Sequence, residues 1–191
     1  MNTKLKKDII SIIKSKDTKY QKLSNILKLL FVDIAGIDQN KYYILGSFAI
    51  REYRTIGDLD INLDENEFLK LAKIPYGVLE FYNGQIRWFY DITKLYNKAT
   101  DSVEADFSIE AFQKSPDIGF PNNNFSLNYL VKHNSLDVDS NGHQFFSLKT
   151  LLNWKTVMGR EKDKADIVII NNILSKNVRK SGRTYPKSKR Y

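Results

Sequence analysis

Apolar residues recur at helical spacing along the first segment: Leu5, Ile9, Ile10, Ile12 and Ile13, then Leu23, Ile26, Leu27, Leu29, Leu30 and Phe31. This pattern predicts two helices broken at Asp17-Thr18, with Asp17 as a cap, and Gly36 ends the region. The period then changes. Tyr42-Tyr43-Ile44-Leu45 is a short apolar run that predicts a buried strand leading into Gly46-Ser47. A short helix over 47–53 starts at Ser47, and Thr55-Ile56-Gly57 turns the chain into a second strand over 58–63. A helix over about 64–73 follows, closed by Pro75 and Gly77. Strand-like segments come next at 78–82, 85–93 (after a turn at Asn83-Gly84) and 103–112. The stretch 113–124, with Pro116, Gly119, Pro121 and three consecutive asparagines, predicts a loop. A short helix or strand over 127–132 precedes a hairpin of 136–139 and 143–146, joined through Ser140-Asn141-Gly142. Ser147 caps a helix over 148–158, and a second helix over about 161–174 leads to the C-terminus.

These elements predict an α+β protein: a small mixed β-sheet with helices on one side, N-terminal helices and a C-terminal helical pair. The expected division is an N-terminal helical segment at 1–36, a sheet-bearing core at 37–146, a helical pair at 147–175 and a basic, flexible tail at 176–191.

Composition narrows the chemistry. The 191 residues are 42% hydrophobic and 13% aromatic, enough to bury a real core. The lack of cysteine excludes disulfides, thiolate metal sites and cysteine nucleophiles. His133 and His143 are the only imidazoles, too few for a typical structural zinc site. No apolar run approaches the ~18 residues of a membrane span, and no signal-peptide segment follows the basic N-terminus. The expectation is an intracellular protein without a membrane partner: cytoplasmic, or nucleoid or nuclear if it acts on DNA. Net charge is +8, unevenly spread. Residues 1–28 carry +6 and residues 176–191 carry +7, so 29–175 is mildly acidic at −5. Basic ends of this kind suit a nucleic-acid backbone, through counterion release, or simply a solvated helix face and tail.

The candidate chemistry sits at Gly46-Ser47 and Asp58-Leu59-Asp60, separated by the ten residues 48–57. On a strand, residues 58 and 60 share a face while Leu59 and Ile61 point to the other. Two carboxylates that close are unfavourable without a cation, and Mg²⁺ (or Mn²⁺) is the hard, oxygen-seeking ion that binds together with substrate phosphates. The glycine lets the backbone approach a phosphate, the N-terminus of the following helix offers free N–H groups and a positive dipole end, and Ser47 adds a hydroxyl. Arg51 and Arg54 lie within reach of a triphosphate or of ion pairs with Glu52 and Asp58.

Leu45-Gly46-Ser47 with Asp58-Leu59-Asp60-Ile61 resembles the signature of the nucleotidyltransferase superfamily of DNA polymerase β, with Gly46-Ser47-Phe48 and Gly57-Asp58-Leu59-Asp60 closest to the family X polymerase version. The resemblance implies a palm-like core over 37–146 and a third carboxylate on a neighbouring strand that helps bind the catalytic metal. Glu104, Asp106 and Glu110 share one parity; Asp106 is favoured, Glu104 is second, and Asp91 is an outside choice. Downstream, residues 147–155 and 159–167 resemble the C-terminal helices of small nucleotidyltransferases of the AbiEii and antitoxin-like groups. By that resemblance Lys155 meets the nucleotide phosphates, and Lys162 and Asp163 line the same cleft. A plain charged helix start accounts for 160–164 equally well.

The implied reading is a Mg²⁺-dependent enzyme moving an NMP from an NTP to a hydroxyl acceptor. The sites are Asp58, Asp60 and Asp106 for metal and catalysis, and Gly46, Ser47, Arg51, Lys155 and Lys162 for the nucleotide. The basic ends favour a nucleic-acid 3′ end, of tRNA or other RNA or DNA, as acceptor. The alternatives are a catalytically silent nucleic-acid-binding protein on the same fold, or a toxin–antitoxin-type partner using the amphipathic helices of 5–31.

Overall fold

The computed structural model describes residues 3–53, 58–82, 85–93, 108–113 and 127–181. Among them one mixed seven-stranded sheet is flanked by six α-helices. The strands are β1 (Tyr42–Ile44), β2 (Asp58–Leu63), β3 (Val78–Tyr82), β4 (Gln85–Asp91), β5 (Ser108–Gln113), β6 (Leu136–Val138) and β7 (Gln144–Phe146). Their spatial order is β3-β4-β5-β2-β1-β7-β6. The β2–β5 and β1–β7 pairs are parallel and the rest antiparallel.

Helix α1 (Thr3–Lys14) and helix α2 (Lys19–Leu27) match the predicted pair, but the cap is Thr18, whose hydroxyl accepts from the Gln21 N–H. Asp17 instead takes a hydrogen bond from Ser15 Oγ and another from Asn25 Nδ2. Helix α2 continues as a π-helical stretch, Lys28–Ala35, stopped by Gly36 in the left-handed region at φ 68°. Asp64 caps a short α3 (Glu65–Phe68), followed by a 3₁₀ turn, Leu69–Lys73. Helix α4 (Leu127–Lys132) precedes the β6–β7 hairpin. Helix α5 (Leu148–Met158) is capped by Ser147, as its sequence predicts, and α6 (Lys164–Ser181) runs seven residues beyond the expected 174, into the segment expected to be a flexible tail. No described helix is long and apolar enough to cross a membrane.

Strand alternation divides the buried side chains into two cores. Tyr42, Ile44, Leu59, Ile61, Leu63, Trp88, Tyr90, Ile109, Ala111 and Phe145 point to one face, where α1, α2 and the π-helical stretch cover them. Tyr43 and Phe146 point to the other and pack with Leu130, Leu151, Ile170 and Ile173 from α4, α5 and α6. Helices therefore flank both faces, which corrects the one-sided arrangement expected from sequence. The reason is local: β1 and β7 carry consecutive apolar residues, so both of their faces need cover. Strands β2, β4 and β5 instead put polar side chains on that second face, among them Asp58, Asp60, Asn62, Arg87, Ser108 and Glu110.

A polar seam ties α2 to the hairpin. The buried His143 ring donates from Nε2 to the Ser24 carbonyl (2.9 Å), which can only accept, so Nδ1 accepts from the Tyr42 hydroxyl (2.5 Å). Ser24 Oγ donates to Asp139, and Asn141 Nδ2 reaches Ser24 Oγ at 2.7 Å and Asn25 Oδ1 at 2.8 Å.

Candidate functional site

Strand β1 ends where the chain must leave the sheet, and it leaves through a five-residue 3₁₀ turn, Gly46–Ile50, rather than the longer helix predicted over 47–53. Phe48 of this turn is buried in the first core and Ile50 in the second, so the turn is pinned on both sides of the sheet. Gly46 has φ 67°, a region that costs an L side chain roughly 1–2 kcal/mol. A Cβ added there would stand 3.5 Å from Asp60 Oδ2. The Leu45 N–H also donates to the Asp60 carbonyl at 2.7 Å. The glycine–serine turn and the Asp-x-Asp strand, ten residues apart in sequence, thus meet in space.

Asp58 and Asp60 stand on one face of β2, as the period of two requires. The parallel register sets Ser108 beside Asp58 and Glu110 beside Asp60, on strands about 4.8 Å apart. One strand further, Asp91 is opposite Ser108 and Phe89 opposite Glu110. Asp91 therefore lies in the row of Asp58, two strands away. Of the three same-parity acids, Glu110 is the described one beside the pair; Asp106 and Glu104, like Arg54, lie outside the described residues. Glu110 is bound by Arg87 Nη1 at 2.8 Å, and Arg87 also pairs with Glu80. Among the described residues no three His, Cys, Asp or Glu side chains form a metal-holding group.

Burial, then the charges of Asp58 and Glu110, raises the Asp60 carboxyl to about 6, against the opposing pull of Lys162 and Arg160. Lys162 is exposed on the Glu161–Asp163 3₁₀ turn between α5 and α6, and its charge acts on Asp60. The other two predicted cations are placed differently. The Arg51 guanidinium stacks on Phe48, Phe145 and Tyr20 at 4.7, 4.6 and 5.1 Å, on the side of the first core. Lys155 is buried on α5, its ammonium 2.8 Å from Asp163 and 2.7 Å from Asp166. Asp166 in turn accepts from the Ser47 hydroxyl at 3.1 Å. Arg160 forks onto Asp163 from Nε and Nη2 at 2.6 and 3.1 Å. Although burial works to raise the Asp163 carboxyl, hydrogen bonds from Arg160 and Lys155 hold it below its ordinary value.

Sequence reasoning missed Asp166 as the bridge between Lys155 and Ser47. Its signal was an acid at the start of an apolar helix, which reads as a dipole partner.

Comparison with protein-family models, curated proteins and solved structures gives no match.

Proposed function

We propose that this chain is a Mg²⁺-dependent nucleotidyltransferase of the DNA polymerase β-like kind, transferring an NMP from an NTP to a nucleic-acid 3′ hydroxyl. The observation that carries the reading is the nearness of Gly46 to the Asp60 carboxylate, whose Oδ2 lies 3.5 Å from where a Cβ on Gly46 would stand. It sets a turn suited to phosphate within atomic distance of a carboxylate pair suited to a hard cation. The donor set fits such an ion: it is oxygen only, and Mg²⁺ is commonly held by one or two carboxylates with phosphates filling its remaining positions. Asp58 and Asp60 would hold it, with Asp106 the third carboxylate the resemblance calls for. When bound, the ion supplies positive charge to the reacting phosphate and the departing pyrophosphate.

The chain's own residues do the rest. Gly46 keeps side-chain bulk out of the space beside Asp60, so a phosphate can approach the backbone. Lys162 and Arg160 supply positive potential on the side of the helical pair. Basic residues at 1–28 and 176–191 draw in an acceptor of opposite charge.

The test is incubation of the full chain with α-labelled NTPs, Mg²⁺ and total RNA. Label passes to RNA with the native sequence and falls by about 100-fold or more in Asp58→Asn and Asp60→Asn, the scale of losing a group that stabilises transition-state charge. Absence of transfer, together with nucleotide binding unchanged in both variants, would refute the assignment. Salt-sensitive RNA binding without metal-dependent NTP binding would point instead to a silent binding protein.

A further inference from the structure

The chain Lys155–Asp166–Ser47 is buried at its first two members and ends on the turn that the proposed function needs. Lys155 is 3% exposed and Asp163 and Asp166 are each 1% exposed. Two of the three ammonium protons of Lys155 are committed, at 2.8 and 2.7 Å, to carboxylates from two different elements. Asp163 comes from the 3₁₀ turn and Asp166 from the first turn of α6. Arg160 closes the outside of Asp163. The single hydroxyl proton of Ser47 goes to Asp166, so any phosphate contact at this turn falls to its backbone rather than to that hydroxyl.

We infer that Lys155, Asp163 and Asp166 form a clasp through which the C-terminal helical pair holds the Gly46–Ser47 turn in place, making Lys155 a positioning residue that acts through Asp166 and Ser47 rather than a phosphate ligand. Lys155 fixes the Asp166 carboxylate, and the carboxylate fixes the Ser47 hydroxyl. Ser47 follows Gly46, where an added Cβ would stand 3.5 Å from Asp60 Oδ2. A displacement of α6 is therefore transmitted to the space between the turn and the carboxylate pair. Asp163 and Arg160 keep the lysine from swinging outward. Only the consequence for nucleotide transfer rests on the proposed function; the mechanical link does not.

Amide hydrogen exchange and ATP binding on the full chain test the two parts separately. Ser47→Ala removes one hydroxyl and leaves the buried ion pairs intact. It is expected to speed exchange of the 46–50 amides at least about 10-fold, the scale of one lost hydrogen bond, with β2 unchanged. Exchange at 46–50 equal to that of the native chain overturns the clasp, whether or not the protein transfers nucleotides. Lys155→Met gives the same local rise, and combining it with Ser47→Ala adds little to either. With Mg²⁺·ATP, Lys155→Met weakens binding no more than Ser47→Ala does. A dissociation constant that rises well beyond the Ser47→Ala value, with exchange at 46–50 unchanged, makes Lys155 a direct phosphate ligand and overturns the positioning role. If Lys155→Met does not fold, Ser47→Ala alone decides. A native chain that binds no nucleotide defeats the proposed function while leaving the exchange result to judge the clasp.

Discussion

Ionising a carboxyl that is buried beside other carboxylates costs the folded state free energy, and Asp60 is in that position. Its pKa rises from the ordinary aspartate value to about 6 through burial and the charges of Asp58 and Glu110. A raised acid pKa means that the folded state binds its proton more tightly than the unfolded chain does. The destabilisation is therefore fully present above pH 6, fades as pH falls through 6, and is gone below the unfolded value near 4. Asp60→Asn removes the charge and keeps the shape, so it should stabilise the protein at pH 7 by up to about 3 kcal/mol. The gain should vanish near pH 3.5, and urea melts at the two values check it. No gain at pH 7 would mean that Lys162 and Arg160 already neutralise the site. The strand pair itself was legible in the sequence, because a period of two needs only local information. The partner of Asp60 was not. Glu104, Asp106 and Glu110 share parity, and only the β2–β5 register, a long-range property, sets Glu110 beside Asp60. The carboxylate partners of Lys155 were illegible for a related reason, since a lysine on an inward helix face gives no sign of which acids meet it.

Element boundaries were legible wherever a local chemical stop coincided with a change of period. Strands β2 and β3 begin and end where the sequence predicts, and α5 starts one residue after Ser147. That serine accepts from the Thr150 N–H at 3.3 Å, and its hydroxyl also meets the Thr150 hydroxyl at 2.9 Å. Ser147→Ala should cost about 1 kcal/mol, lowering the melting temperature by about 2–4 °C in a chain of this size. An unchanged melting temperature would show that tertiary packing of α5 makes the cap redundant. The segment 47–53 misled for a physical reason. Five residues pinned between Phe48 in one core and Ile50 in the other have no room to wind a full α-helix, and the tighter 3₁₀ geometry spans the gap. Thr18 displaced Asp17 as the cap of α2 because both residue types suit the position, and one residue of offset decides which hydroxyl or carboxylate reaches the Gln21 N–H.

At the scale of the whole molecule, the two faces of the sheet answer to pH with opposite signs. On the first, His143 locks the hairpin to α2, and burial lowers its pKa, with Lys28 adding to the effect and Asp139 and the Ser24 carbonyl opposing it. A histidine held neutral in the fold lends stability that is complete above its unfolded value near 6.5 and is lost as pH falls below it, because the unfolded chain then binds the extra proton. On the second face Asp60 works the other way, its penalty relieved as pH falls through about 6. Asp163, held below its ordinary value, loses its contribution only below about pH 4, outside this window. Between pH 7 and 5 Asp60 and His143 therefore contribute two opposing terms among the described residues, and single variants separate them. Asp60→Asn should lose melting temperature more steeply than the native chain on going from pH 7 to 5, because the compensating term is gone. His143→Gln should lose less, or gain, since the Asp60 term is no longer opposed by that of His143. Melting curves of the three proteins at pH 5, 6 and 7 decide the matter. Parallel pH profiles for all three would show that neither residue governs acid stability, and that the seam between α2 and the hairpin tolerates a charged imidazole.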